Sequence, residues 1–179
     1  MLTRNNALLA VVDVQEKLVA AMPEKEELIA KLRTMVQGAK ILELPILWVE
    51  QYPKGLGRTV GEVRELLEEL EPQEKNCFSA CGLEDFVKAL ESAQRRQILL
   101  VGLEAHVCVY QTAISLLERG YHVEVVRDAV SSRTPENREI GLRRAERAGA
   151  QITSVEMALF ELLARAGSPE FKEISKLVK

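Results

Sequence analysis

Residues 7–12, ALLAVV, carry no polar side chain, and Asp13 ends the run. A strand with one face in water alternates apolar and polar residues. An unbroken apolar run instead marks a strand covered on both faces. Such a strand needs helices above and below it, and the rest of the chain supplies them in alternation. Helical spacing runs over residues 24–44 through Leu28, Leu32, Met35, Val36, Ala39 and Leu42. It stops ahead of Pro45, because the residue before a proline avoids helical backbone. Residues 46–49, ILWV, form a second strand, and a glycine- and proline-bearing loop containing QYPKGLG follows over 50–61. A short charged helix over 60–70 ends before Pro72, and residues 74–79 are short and extended. A helix over 83–91 leads to a third strong strand, RQILLV at 96–101, closed by Gly102. The next helix, 106–119, stops at Gly120, a residue type favoured just past helix ends. A strand over 121–127 ends in Asp128. A helix over 135–148, a short strand over 150–153 and a helix over 155–166 complete the pattern. The charged tail from Ser168 is amphipathic.

This alternation predicts an α/β fold, a three-layer α/β/α arrangement with a Rossmann-like parallel sheet and helices on both faces. The 179 residues fit one domain, with a core over about 7–165 and a short helical C-terminal tail. In such sheets the working groups gather beyond the carboxyl ends of the strands. Asp13, the 50s loop and the segment from Gly102 to Cys108 stand there.

Several function classes drop out. A net charge of −3 argues against a nucleic-acid partner, which calls for clustered Lys and Arg. Aromatic content of 4% leaves little for a base-stacking platform. There is no apolar run of about 18 residues to span a membrane. The N-terminal apolar run, cut by Asp13, reads as a buried strand rather than a signal peptide. Three cysteines at irregular spacing do not suit a secreted disulfide framework, so a reducing cytoplasm is expected. No G-x-G-x-x-G follows the first strand, and there is no phosphate-binding P-loop.

Three residues could carry chemistry. Cys108 stands near the start of a helix that follows a strand and a glycine turn. Unpaired amides and the positive end of the dipole there favour a thiolate, lowering the thiol from its usual ~8.5. The same amides could hold an oxyanion. On position alone, a buried, unreactive thiol is the more ordinary reading. Asp13, closing an apolar strand, is costly to bury unless paired or working, and could act as a general base. It could equally cap the helix begun by VQEKL. Lys75 could favour the anionic forms of a nearby carboxylate and thiol, or be a solvated surface lysine.

The segments LLAVVDVQ around Asp13, EKNCFSA around Lys75, GLEAHVCVYQTA around Cys108 and GYHVEVVRDAVSSR over 120–133 together resemble the isochorismatase-like hydrolases, also called cysteine hydrolases. The resemblance covers residues 7–165. EQYPKGLGRTV and GLEAHVC give it the flavour of the isochorismatase-domain-containing proteins of undefined substrate. It implies an Asp-Lys-Cys triad with Asp13 as general base, Lys75 as the ion-pairing residue and Cys108 as nucleophile. It also implies a non-proline cis peptide at Leu103–Glu104 and an oxyanion hole from the backbone amides of Glu104 and Cys108. Gln15, Leu18, Glu50, Tyr52 and Phe78 fall where members of that family line the pocket. Homo-oligomers, a dimer or larger, are expected on the same ground.

Two departures narrow the expectation. Nicotinamidases of this kind bind a metal through Asp-x-His and further histidines after the second strand. VEQYPKGLG has no histidine there, and the chain's two are His106 and His122, so neither metal nor cofactor is expected. True isochorismatases lack the cysteine, so vinyl-ether cleavage is not expected either. Cys77 and Cys81 read as core or near-site cysteines, His106 as a surface residue near the rim, and REIGLRRAERA as a solvated face. The resulting expectation is a metal-independent cysteine hydrolase acting on a small amide or related C–N bond through a thioester. The alternative is a non-catalytic binding or scaffold protein that retains the fold.

Overall fold

The computed structural model describes all residues from Met1 to Lys179. Six parallel strands form one sheet: β1 (Ala7–Val12), β2 (Ile46–Gln51), β3 (Gln73–Lys75), β4 (Gln97–Leu103), β5 (His122–Ser131) and β6 (Gln151–Thr153). They lie in the order β3-β2-β1-β4-β5-β6. The main helices are α1 (Glu16–Ala20), α2 (Lys25–Ile41), α3 (Pro53–Leu56), α4 (Gly61–Arg64), α5 (Glu84–Ser92), α6 (Cys108–Glu118), α7 (Pro135–Arg147), α8 (Val155–Leu163) and α9 (Pro169–Leu177).

The apolar run over β1 is explained by two separate cores. Ala7, Leu9 and Val11 pack with residues of α2, α8 and α9 on one face, while Leu8, Ala10 and Val12 pack with α5, α6 and α7 on the other. Successive strand residues point to opposite faces, so covering both faces makes every position apolar. The three-layer α/β/α arrangement expected from the sequence is therefore what forms. The chain differs from expectation where charge masks a strand. β5 runs on to Ser131, past Arg127 and Asp128, because both side chains find partners at the sheet's edge. Arg127 pairs with Glu139, and Asp128 Oδ1 accepts the Val155 amide that opens α8. The helix expected over 60–70 is short, α4 followed by a 3-10 turn over Glu65–Leu67. No helix is long and apolar enough to cross a membrane.

The strand order reverses between β1 and β4. From β1 the chain adds β2 and β3 on one side, then returns to place β4 on the other. The loops leaving β1 and β4 part there, at the place where sheets of this kind form their crevice beyond the carboxyl ends of the strands. Gly102 makes the close approach possible. It pairs with Val12, sits at φ 125°, and a Cβ on it would lie 1.9 Å from the Val12 carbonyl oxygen. Gly102→Ala is expected to cost about 3 kcal/mol or more in denaturant unfolding, since neither backbone can yield cheaply. A variant as stable as the parent would contradict this packing.

Candidate active site

The crevice collects side chains from three strand ends and one helix start. Asp13 follows β1 at φ 55°, with its amide bonded to the Val49 carbonyl at 3.1 Å. Lys75 ends β3, in register with Gln51 of β2. The Lys75 ammonium donates to Asp13 Oδ2 at 2.7 Å, and both side chains are wholly buried. It also reaches Gln51 Oε1 at 2.7 Å and the carbonyls of Phe78 and Cys77 at 3.2 and 3.3 Å. A lysine that sequence alone leaves open as a surface residue is thus sequestered among four oxygens. That is what a buried cation requires.

Cys108 opens α6 and is 6% exposed. Asp13 Oδ1 is buried and has no donor in hydrogen-bonding geometry. The Cys108 thiol is the neighbour close enough to act on this carboxylate. Burial pushes Asp13 above the ordinary carboxylate range, against the opposing pull of Lys75. Burial, and then the Asp13 charge, push Cys108 up to about 12, again with Lys75 opposing. The expected lowering of the thiol by the helix terminus is therefore overturned. Loss of hydration and a neighbouring carboxylate outweigh the half-charge of one helix end. At neutral pH the resting Cys108 is therefore a protonated thiol.

Two backbone amides at the head of α6 are left without partners. Val107, at φ −122° and ψ −90°, offers no side-chain cap. The Glu104 carbonyl accepts from Val107 and Val109 at 3.0 and 3.2 Å, while the amides of Glu104 and Cys108 have no protein acceptor. One expectation fails: every peptide bond is trans, Leu103–Glu104 included. Two other features carry the chain through this turn, positive φ at Gly102 and the bond from the Ala105 amide to the Ser131 carbonyl at 2.8 Å.

The residues expected to line a pocket fall into three groups. Gln15 and Glu50 are fully buried and spend their polar atoms on the 50s loop. Gln15 Nε2 donates to the Gln51 and Gly57 carbonyls, and its Oε1 accepts the Gln51 amide. Glu50 accepts from the Thr59 amide and hydroxyl and from Arg58. Leu18 packs, half-buried, on the first core. Tyr52 and Phe78 are each 54% exposed. The Tyr52 amide donates to the Lys75 backbone carbonyl at 2.9 Å, and the Phe78 carbonyl accepts from the Lys75 ammonium at 3.2 Å, so the backbones of both are tied to Lys75. Cavities of about 610, 540 and 370 Å³ lie elsewhere on the molecule, and none of them is lined by Asp13, Lys75 or Cys108. Cys77, Cys81 and Cys108 are free thiols, and no three His, Cys, Asp or Glu side chains gather as a metal-ligand set.

Sequence reasoning missed Gln51. Its signal was available in strand alternation: Trp48 belongs to one core and Val49 to the other, so Gln51 shares the Val49 face, toward α6. The segment Ser131 to Arg133 was also missed as a site support.

Comparison with known proteins adds the lineage. The family model described as an isochorismatase domain matches residues 6–157. A secreted isochorismatase effector, Isc1 of Phytophthora sojae, is 43% identical, over 98% of this chain and 85% of that protein. The human isochorismatase domain-containing protein 2 is 38% identical, over 97% of this chain and 83% of its own. Among solved structures, the MAR1 ribonuclease from Caenorhabditis elegans superposes with a TM-score of 0.93 at 40% identity, covering 99% of this chain and 91% of that one. The YcaC gene product from Escherichia coli, described as an octameric hydrolase of unknown specificity, also gives 0.93, at 25% identity, covering 98% and 89%.

Proposed function

The chain belongs to the isochorismatase family, and from that premise we propose that it is a metal-independent cysteine hydrolase acting on a small amide or related C–N bond. The observation that carries the reading is the wholly buried Lys75–Asp13 pair at 2.7 Å beside the thiol that opens α6. Burying two charges costs several kcal/mol each in real proteins, and an apolar pair often fills such a space as well or better. A buried pair beside a thiol is what proton transfer during thiol attack needs.

In this reading Asp13 Oδ1 takes the Cys108 proton as the sulfur attacks the carbonyl carbon. The carbonyl π pair moves to oxygen, where the amides of Glu104 and Cys108 hold it. The tetrahedral species collapses, the C–N bond breaks, and the amine leaves with the proton from Asp13. Water then adds to the thioester with Asp13 again accepting a proton. The carboxylic acid departs and Cys108 recovers its proton. Lys75 remains an ammonium throughout and keeps Asp13 oriented. Because Asp13 must start ionised, turnover rises with pH through the raised value of that carboxyl, above its ordinary 3.8.

The test is an acid-quenched reaction with a panel of small amides, read by peptide mass spectrometry. The expected result is the acyl group of a turned-over amide on the Cys108 peptide. A working enzyme whose Cys108 peptide never carries it sinks the thioester route. No turnover across the panel, with no acyl group on any Cys108 peptide, favours the scaffold alternative.

Ribonucleolysis, named for the C. elegans neighbour, finds less support here. The net charge is −3, and binding a phosphate backbone rests on clustered cations. A homo-oligomer of two or more chains is part of the proposal, supported by the octameric E. coli neighbour. So is a cytoplasmic setting, supported by three free cysteines.

A further inference from the structure

The segment from Glu104 to Cys108 does not lie free over the crevice. It is docked on the end of β5 rung by rung. Leu103 pairs with Ser131, and the Ala105 amide donates to the Ser131 carbonyl at 2.8 Å. His106 Nδ1 meets Ser132 Oγ at 3.0 Å. Arg133 grips the Glu104 carboxylate with Nε at 2.8 Å and Nη2 at 3.3 Å. From the other side Gly141 of α7 comes so close that a Cβ on it would lie 2.4 Å from the Ala105 carbonyl oxygen. The Glu104 carbonyl in turn caps the first turn of α6 around Cys108.

The ion pair is lopsided. The Arg133 side chain is 61% exposed and that of Glu104 only 10%. Exposed pairs contribute little, because water screens both partners. Here water reaches one partner only. Without Arg133, Glu104 is a nearly buried carboxylate whose charge opposes ionisation of Cys108. We propose that Arg133 is a positioning residue for Cys108: its two-nitrogen grip holds the 104–108 segment on β5 and cancels the charge of a carboxylate standing near the sulfur. The inference rests on Cys108 being the reacting group, as proposed above.

The test reads the thiol directly, with no substrate. Wild type, Arg133→Gln, Arg133→Lys and the double variant Glu104→Gln/Arg133→Gln are alkylated with iodoacetamide at several pH values. Each cysteine is followed by peptide mapping, with Cys77 as the internal control. Arg133→Gln is expected to slow Cys108 about tenfold at fixed pH, the effect of one unit of added thiol pKa, and to displace its pH profile to higher pH. Arg133→Lys recovers most of the loss, and the double variant recovers it because no carboxylate is left unpaired. Cys77 stays at its wild-type rate in all of them. Cys108 labelled by Arg133→Gln at or above the wild-type rate overturns the inference, as does a double variant as slow as the single. Failure of the hydrolase reading looks different: no acyl-Cys108 forms, while the labelling differences persist.

Discussion

Cys108→Ala should abolish hydrolysis of any small amide that the wild-type chain turns over, with a loss of roughly a thousandfold or more. The size follows from what disappears. Without sulfur there is no covalent intermediate, and Asp13 is left with a proton acceptor site but no proton to take. What survives is binding and the unpaired amides of Glu104 and Cys108, which retain their place because α6 starts at the same backbone. Stability should barely change, since the side chain removed is small and sits at the edge of the second core. Cys108→Ser is expected to fare little better. An alcohol is far harder to ionise than a thiol, and this site already opposes ionisation strongly enough to hold the thiol at about 12. Full activity in the alanine variant, with its fold confirmed by its melting temperature, would refute the thiol mechanism.

The second large effect falls on stability. Lys75→Met should destabilise the fold by about 3–5 kcal/mol at neutral pH, because it leaves the Asp13 carboxylate buried with no counter-charge. Asp13→Asn should cost a comparable amount for the opposite reason, stranding an ammonium. The double variant Asp13→Asn/Lys75→Met should return to within about 2 kcal/mol of wild type, since the paired neutral groups carry no uncompensated charge. The Lys75→Met loss has a definite pH signature. A carboxyl with a raised native pKa binds a proton in the folded state that the unfolded chain has already released. Stability from this group is therefore full below its ordinary 3.8 and falls as pH rises above it. Lys75→Met should be closest to wild type near pH 4 and furthest from it near pH 8. Urea unfolding at both pH values checks this, and a loss independent of pH contradicts it.

Much of this architecture is legible in the sequence because covering a sheet on both faces leaves an unmistakable mark. ALLAVV and QILLV can be little else, and glycines at 102, 120 and 149 punctuate the pattern. Two of the three candidates stand out for a related reason: Asp13 is a charge closing an apolar strand, and Cys108 stands where a helix begins, whereas Lys75 is marked only by its place beside Glu74 and Cys77. The burial of Lys75 was not legible, because it depends on Gln51 and two backbone carbonyls converging from other segments. The direction of the thiol shift was missed for the same reason. The helix terminus is visible in one dimension, whereas the loss of water and the proximity of Asp13 arise only in three. Gln15 and Glu50 came forward only through the family resemblance, as pocket positions, and their fold role, tethering the 50s loop, emerged from contacts reaching as far as Gly57 and Thr59.

The strand order has one more consequence. Asp13 and Lys75 stand 62 residues apart in the chain. They meet only after β2 has been laid against β1 and β3 against β2. Until that edge closes, the two charges remain hydrated and separate, so the chain has no reactive centre to expose while it is still being assembled. In the proposed mechanism, assembly of the reacting groups and completion of the sheet then coincide.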